Sequence, residues 1–228
     1  MAEWGAMIVN DQGNVMVTPQ YSPMALYRRV SVSSSGGSSG HTATASITLP
    51  NSWAPVLPFV GTSKPGQGGV AISVSRSGNV VNFTGFNMYN SSFTMNCFLF
   101  TQFDQPMPAS RYGMAIWDAS GRLILTHETR VLTDINNVGV QGSGSAGLNI
   151  NTTRAGRYAV SPELSGVVYY RDLTGGLIIP MPTAFEASFD GTNTFLRSAP
   201  MRPVSGLQQV GGTSFDNSMK VINIDNYL

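Results

Sequence analysis

The chain has 228 residues, a length that fits one large all-β domain or two small ones. Hydrophobic residues make up 42% and charged residues 11%, against roughly 25% charged in an ordinary globular domain. This composition excludes a disordered acidic or basic tail and a coiled coil, and the formal net charge of +1 offers no basic stripe for nucleic acid.

Apolar residues alternate with a period of two between Gly-containing turns, the pattern of half-buried antiparallel strands. Met7–Val9 is expected to turn through Asn10-Asp11-Gln12-Gly13 into Val15–Val17. Ser31–Gly40 is a Ser/Gly tract that reads as a flexible loop, and Gly61–Gly69 as a second loop. Ala71–Val74 turns through Arg76–Asn79 into Val80–Phe83. In the stretch Phe93–Thr101, one face carries Phe93, Met95, Cys97 and Leu99 as core, so Cys97 reads as a small buried hydrophobe.

Met114–Trp117 then turns through Asp118-Ala119-Ser120-Gly121 into Leu123–Leu125. A third loop, Gly139–Gly147, follows. Val167–Tyr170 turns through Asp172–Gly175 into Leu177–Ile179, and Ala187–Phe189 through Asp190-Gly191 into Thr194–Leu196. In most of these turns Asn or Asp opens the loop, where its side chain can bond the backbone. Gly sits late, where a left-handed residue is needed, so Gly13 and Gly121 are expected at positive φ. Lys220–Asp225 alternates as a last strand. The whole predicts an all-β fold, an antiparallel β-sandwich or related barrel built from hairpins, in one or two lobes. Residues 1–135 are expected to form the N-terminal sandwich, and 136–228 a C-terminal β-rich lobe or second small domain.

The first and third hairpins match at an offset of 108. Gly5, Asn10, Gly13, Val15 and Val17-Thr18 correspond to Gly113, Asp118, Gly121, Leu123 and Leu125-Thr126, with Trp4 and Tyr112 ahead of the first Gly.

Chemistry-bearing motifs fail on context. Gly142-Ser143-Gly144-Ser145-Ala146-Gly147 fits the dinucleotide pattern G-x-G-x-x-G, but Leu148–Thr153 behind it alternates like a strand, where the motif needs a helix N-terminus. Gly36-Gly37-Ser38-Ser39-Gly40, followed by His41, fits G-x-S-x-G but lacks a rigid strand-to-helix corner. One cysteine and two distant histidines, His41 and His127, make neither a disulfide nor a zinc set. The carboxylates are scattered, and a glycosidase pair is set by separation in space rather than by spacing in sequence. No catalytic residue, metal or cofactor is assigned, and the chain is read as a non-enzyme. Trp53, Tyr89, Tyr169 and Tyr170 are the aromatics proposed to stack on sugars or anchor an interface, with Tyr158 and Tyr227 as further candidates. Adjacent in a strand, Tyr169 and Tyr170 must face opposite ways. The eleven arginines against two lysines also suit protein interfaces, although codon bias explains them equally well. No signal peptide or membrane-spanning segment is expected.

The opening Trp-Gly-Ala-Met-Ile-Val-Asn-Asp-Gln-Gly-Asn-Val-Met-Val-Thr, with the later Tyr-Arg-Arg-Val and Ser-Gly run, resembles small β-rich tail proteins of long-tailed bacteriophages. Phe103-Asp104-Gln105-Pro106 followed by Tyr112-Gly113-Met114-Ala115-Ile116-Trp117-Asp118-Ala119-Ser120-Gly121-Arg122-Leu123 is closer still. The likeness covers roughly residues 4 to 134 and supplies no catalytic residues. It implies a structural virion protein at the tail tip, baseplate or fibre attachment, assembled in the host cytoplasm. Its partners would be other phage tail proteins and copies of itself. A receptor- or glycan-binding module of the tail that contacts the host surface is the alternative. A capsid decoration protein and a polysaccharide hydrolase stand behind it.

Overall fold

The computed structural model of the chain describes residues 22–37, 39–109, 112–201 and 206–228, with the backbone of two short strands at 8–9 and 15–17. In chain order the strands are β1 (Ile8–Val9), β2 (Val15–Val17), β3 (Ala25–Ser33), β4 (Ser35–Gly37), β5 (Gly40–Thr48), β6 (Val56–Ser63), β7 (Ala71–Ser77), β8 (Val80–Asn87) and β9 (Thr94–Thr101). Then come β10 (Ala115–Trp117), β11 (Leu123–Thr126), β12 (Asn136–Val138), β13 (Asn151–Ala155), β14 (Tyr158–Val160) and β15 (Leu164–Asp172). The last are β16 (Ile178–Phe189), β17 (Asn193–Pro200), β18 (Leu207–Ser214) and β19 (Met219–Asn223). The fold is all-β, as the period-two pattern predicts.

A four-stranded sheet, β4-β5-β8-β7, packs face to face on β3, β9 and β6. Between them lie Ile47, Ile72, Phe83, Met95, Cys97 and Leu99, all with almost no exposure. This is the predicted core face of β9. Its other face is buried too, because Phe98 and Phe100 pack with Phe59, Ala159, Ile222 and Tyr227. The strand predicted as half-buried is thus a central strand between two cores. Burial pushes the Cys97 thiol up to about 12, which keeps it an inert apolar group.

The sheet containing β3, β9 and β6 continues past residue 135. Val60 of β6 pairs with Val160 of β14, and Thr62-Ser63 run parallel to Ser188-Phe189 of β16. The strand β16 spans twelve residues and changes neighbours on the way. It pairs with β15 up to Ala184, then flanks β6, while β17 accompanies it from Thr183 to Phe189. A third core, around Phe185, Leu196, Met219 and Val221, lies under this part.

The Ser/Gly tract differs from its expectation. Ser31–Ser33 pair with Thr94–Asn96, and Ser35–Gly37 pair with Gly40–Thr42, so it forms strands rather than a loop. Small uncharged residues have little strand propensity of their own, and here the backbone ladder to β9 and β5 overrides it. In the Gly61–Gly69 loop, the first three residues likewise belong to β6. The Gly139–Gly147 segment is a loop, followed by a 3-10 turn at Gly147–Asn149 and then β13.

Four of the five proposed hairpins have both strands and turn in view. The fifth, β1–β2, pairs as expected, while its turn residues Asn10, Asp11 and Gly13 lie outside the described residues. At the third hairpin, Asp118 Oδ1 accepts the N–H of Ser120 and of Arg122, and Gly121 has φ +77°. At the fourth, Asp172 accepts from the hydroxyl and N–H of Thr174, and the left-handed residue is Gly176 rather than Gly175. Asp190 accepts from Thr192 and Asn193.

These bonds hold three carboxyls below their ordinary range. For Asp118 the Arg122 N–H contributes most, for Asp172 the Thr174 hydroxyl, and for Asp190 the Asn193 N–H. A folded-state value below the unfolded one, about 3.9, stabilises the fold at neutral pH. That stabilisation is lost as pH falls through the lowered values. The melting temperature is therefore expected to fall below about pH 4. A D118N/D172N/D190N variant, which keeps an acceptor oxygen at each turn, should show a shallower acid limb. An unchanged acid limb in thermal melts would count against this account.

Candidate functional site

The aromatic candidates separate into two clefts. Trp53, 68% exposed, stands in the loop between β5 and β6. With Asn51, Gln102, Asp104 and Arg122 it lines a cleft of about 240 Å³. Arg122 is held there by its own turn, Nε donating to Asp118 Oδ2 at 2.7 Å. The third hairpin is therefore both a chain reversal and one wall of this cleft.

Tyr89 and Tyr170, 81 positions apart, meet at a second cleft of about 400 Å³ with Arg197, Ser198 and Gln209. It adjoins another, of about 470 Å³, which shares Tyr170, Ser198, Pro200 and Gln209 and extends to Asn149 and Thr183. Together they form one groove along β15, β17 and β18. Tyr170 is largely buried, and burial first, with Tyr89 second, raises its phenol above the ordinary range. It therefore stays protonated and able to donate at neutral pH. Tyr169 lies half-buried on the opposite face of β15, its hydroxyl 3.0 Å from that of Thr213, and does not join the groove. Tyr227 is core: it packs edge-on against Phe100 at 4.9 Å, and its hydroxyl accepts the Thr133 N–H.

Under the groove lies a pair with no counterpart among the sequence candidates. Glu186 on β16 and Arg197 on β17 are direct cross-strand partners. The Glu186 carboxylate has no exposure; one oxygen accepts from Arg197 Nε and the other from the Val70 N–H. Arg197 Nη2 also donates to the Gly68 carbonyl at 2.7 Å. Burial pushes the Glu186 carboxyl up, and Arg197 and the Val70 N–H pull it back. The approach leaves no room at Gly69, where a Cβ would stand 2.8 Å from both carboxylate oxygens. Asn87, also buried, grips the same loop from the other side by donating to the Gln67 and Gly69 carbonyls. A signal for the pair was present in the sequence. The Asp190-Gly191 hairpin pairs Phe189 with Thr194, and continuing that register three residues brings Glu186 opposite Arg197.

The remaining candidates stay apart. His41 contacts Ser34 and Asn90, far in sequence from His127, which lies 3.8 Å from Glu128. Among the described residues, no cluster of His, Cys, Asp or Glu is suited to a metal, and no helix is long and apolar enough to cross a membrane. No family model, curated protein or solved structure matches the chain.

Removing one member of a buried ion pair leaves the other unpaired, at a cost of roughly 3–5 kcal/mol. With Arg197 about one-third exposed, R197M is expected near the low end of that range. E186L/R197M, which removes both charges, should recover a large part of the loss. Urea melts of the single and double variants measure this. A double variant no better than R197M would contradict the pairing.

Proposed function

We propose that the protein is a structural component of a bacteriophage tail, working through protein–protein interfaces at the tail tip, baseplate or fibre attachment. The observation that carries this reading is the repeated hairpin. In β1–β2, Ile8 pairs with Val17 and Val9 with Val15; in β10–β11, Ile116 pairs with Leu125 and Trp117 with Leu123. The two sets are identical at an offset of 108, including the residue skipped on the second strand. β-Bulges are designed features rather than defects, so a matching bulge at matching positions supports one hairpin type used twice. The second copy lies within the segment most like the phage tail proteins.

The low charge fits the same reading. Many closely packed subunits repel less when each carries few charges. The third hairpin also presents Tyr112, Met114 and Trp117 at the surface, residue types enriched at interfaces. Immunogold electron microscopy of phage particles, with antibody to the purified chain, tests the proposal. Label at the distal tail is the expected result. Label on the head would move the protein to capsid decoration, and no label with a competent antibody would remove it from the virion.

A second reading, a glycan-binding module of the tail, draws on the groove. Two tyrosines, a guanidinium and neutral hydroxyl and amide groups suit sugar rings, which present apolar faces and rims of hydroxyls. Retention on host-cell surface polysaccharide, lost in Y89A and kept in W53A, would favour it. Equal retention of both variants, or none by the wild type, would count against it.

A further inference from the structure

Four described strands of five or more residues pair with one other strand only: β3, whose first residue also bridges Val131, β7, β13 and β18. Such edges present unpaired backbone groups to any passing strand, and natural proteins guard them with charge, proline, bulges or short length. The strand β3 carries Arg28 and Arg29, β7 carries Arg76 and β13 carries Arg154. The strand β18, Leu-Gln-Gln-Val-Gly-Gly-Thr-Ser, is eight residues long and has neither a charged side chain nor a proline. Its one guard is the bulge at Val210, where the register with β15 skips a residue, and there the strand is exposed, Val210 being 41% accessible.

Apolar groups stand at both ends of this strand. Leu207 pairs with Asp172, so the β15–β16 turn lies at its start, and that turn exposes Leu173, Leu177 and Ile178. At its other end Phe215 continues the pairing with β15 and is 50% exposed.

We propose that β18 is a self-association edge: two copies of the chain pair β18 to β18, antiparallel, across a two-fold axis. The occupant is a second copy for two reasons. A two-fold contact sets each strand against itself reversed, so a charge near its middle would meet its own like, and β18 has none. Reversal also carries the Leu173–Ile178 turn of each copy to the Phe215 end of the other. The turn and that end are separated by two strand spacings, about 10 Å, which facing large side chains span. The contact occurs twice and buries all four exposed apolar residues. The pairing joins the β15 sheets of the two copies into one continuous sheet and sets their two tyrosine grooves side by side. It does not depend on the tail reading, and label nowhere on the virion would leave it standing.

Sedimentation equilibrium of the full chain tests it. The wild type is expected to associate to twice the 24.3 kDa chain mass and no further. V210K places a charge beside the two-fold axis, next to its own copy, and is expected to weaken the dimer at least about tenfold, a 1.4 kcal/mol change. L177K, in an exposed turn away from the strand ladder, should also weaken it and guards against misfolding in V210K. M107K, at an exposed position outside both clefts, should not. A wild type that stays monomeric at every concentration overturns the proposal. So does a dimer unaffected by V210K and L177K with both variants folded by circular dichroism, or a mass that keeps growing as open assemblies form.

Discussion

Taking a carboxylate out of water costs several kcal/mol unless its oxygens are fully bonded, and the bonds that satisfy Glu186 decide how the sheets meet. One oxygen accepts from Arg197, its cross-strand neighbour, and the other from the N–H of Val70, which leads directly into β7. The 64–70 loop is thereby fastened to β16 and β17. Asn87, at the end of β8, fastens the same loop from the four-stranded sheet. Two buried polar side chains on two different sheets thus grip one loop, and the sandwich closes where they do. Such a network specifies a single arrangement, because a shift of the loop strands a charge in an apolar interior.

This clamp also shapes the surface. Arg197 is oriented from beneath by Glu186 and Gly68, so its guanidinium reaches the groove from a fixed direction. Gly68, at φ +67°, lies directly under the Tyr89 ring, close enough that a Cβ there would stand 2.1 Å from the ring edge. Loop, arginine and tyrosine are therefore positioned together. The groove is a consequence of how the sheets are joined, and it carries its polar groups on strands and a pinned loop.

The edges of the sheets tell a parallel story. Three of these edges carry arginine, and the strand left uncharged lies beside a turn that exposes Leu173, Leu177 and Ile178. Charging some edges and leaving one uncharged is how a β protein limits where other strands can add. The repeated hairpin adds a second kind of element, held outside the large sheet and bulged, and in its β10–β11 copy the second strand is buried.

Local chemistry in the sequence was enough to place the hairpins and their turns, while β3, β5, β6, β12, β14 and β18 were not read from it. Asp118 and Gly121, Asp172 with the glycines that follow it, and Asp190 with Gly191 close their hairpins through bonds between near neighbours, which a short stretch of residues fully specifies. The core face Met95, Cys97 and Leu99 was legible for the same reason, since alternation is a local property. What covers the other face of β9 was not legible, because Phe98 and Phe100 look the same whether they meet solvent, a second sheet or a third layer. The Ser/Gly tract misled for a related reason: its strand character comes from the ladders of β9 and β5, not from its own residues. The separation of Trp53 from Tyr89 and Tyr170, and the burial of Glu186 against a loop 116 positions away, belong to tertiary structure alone. They follow from which sheets stack and where β16 changes neighbours, long-range choices settled by packing and by the cost of leaving a charge unpaired.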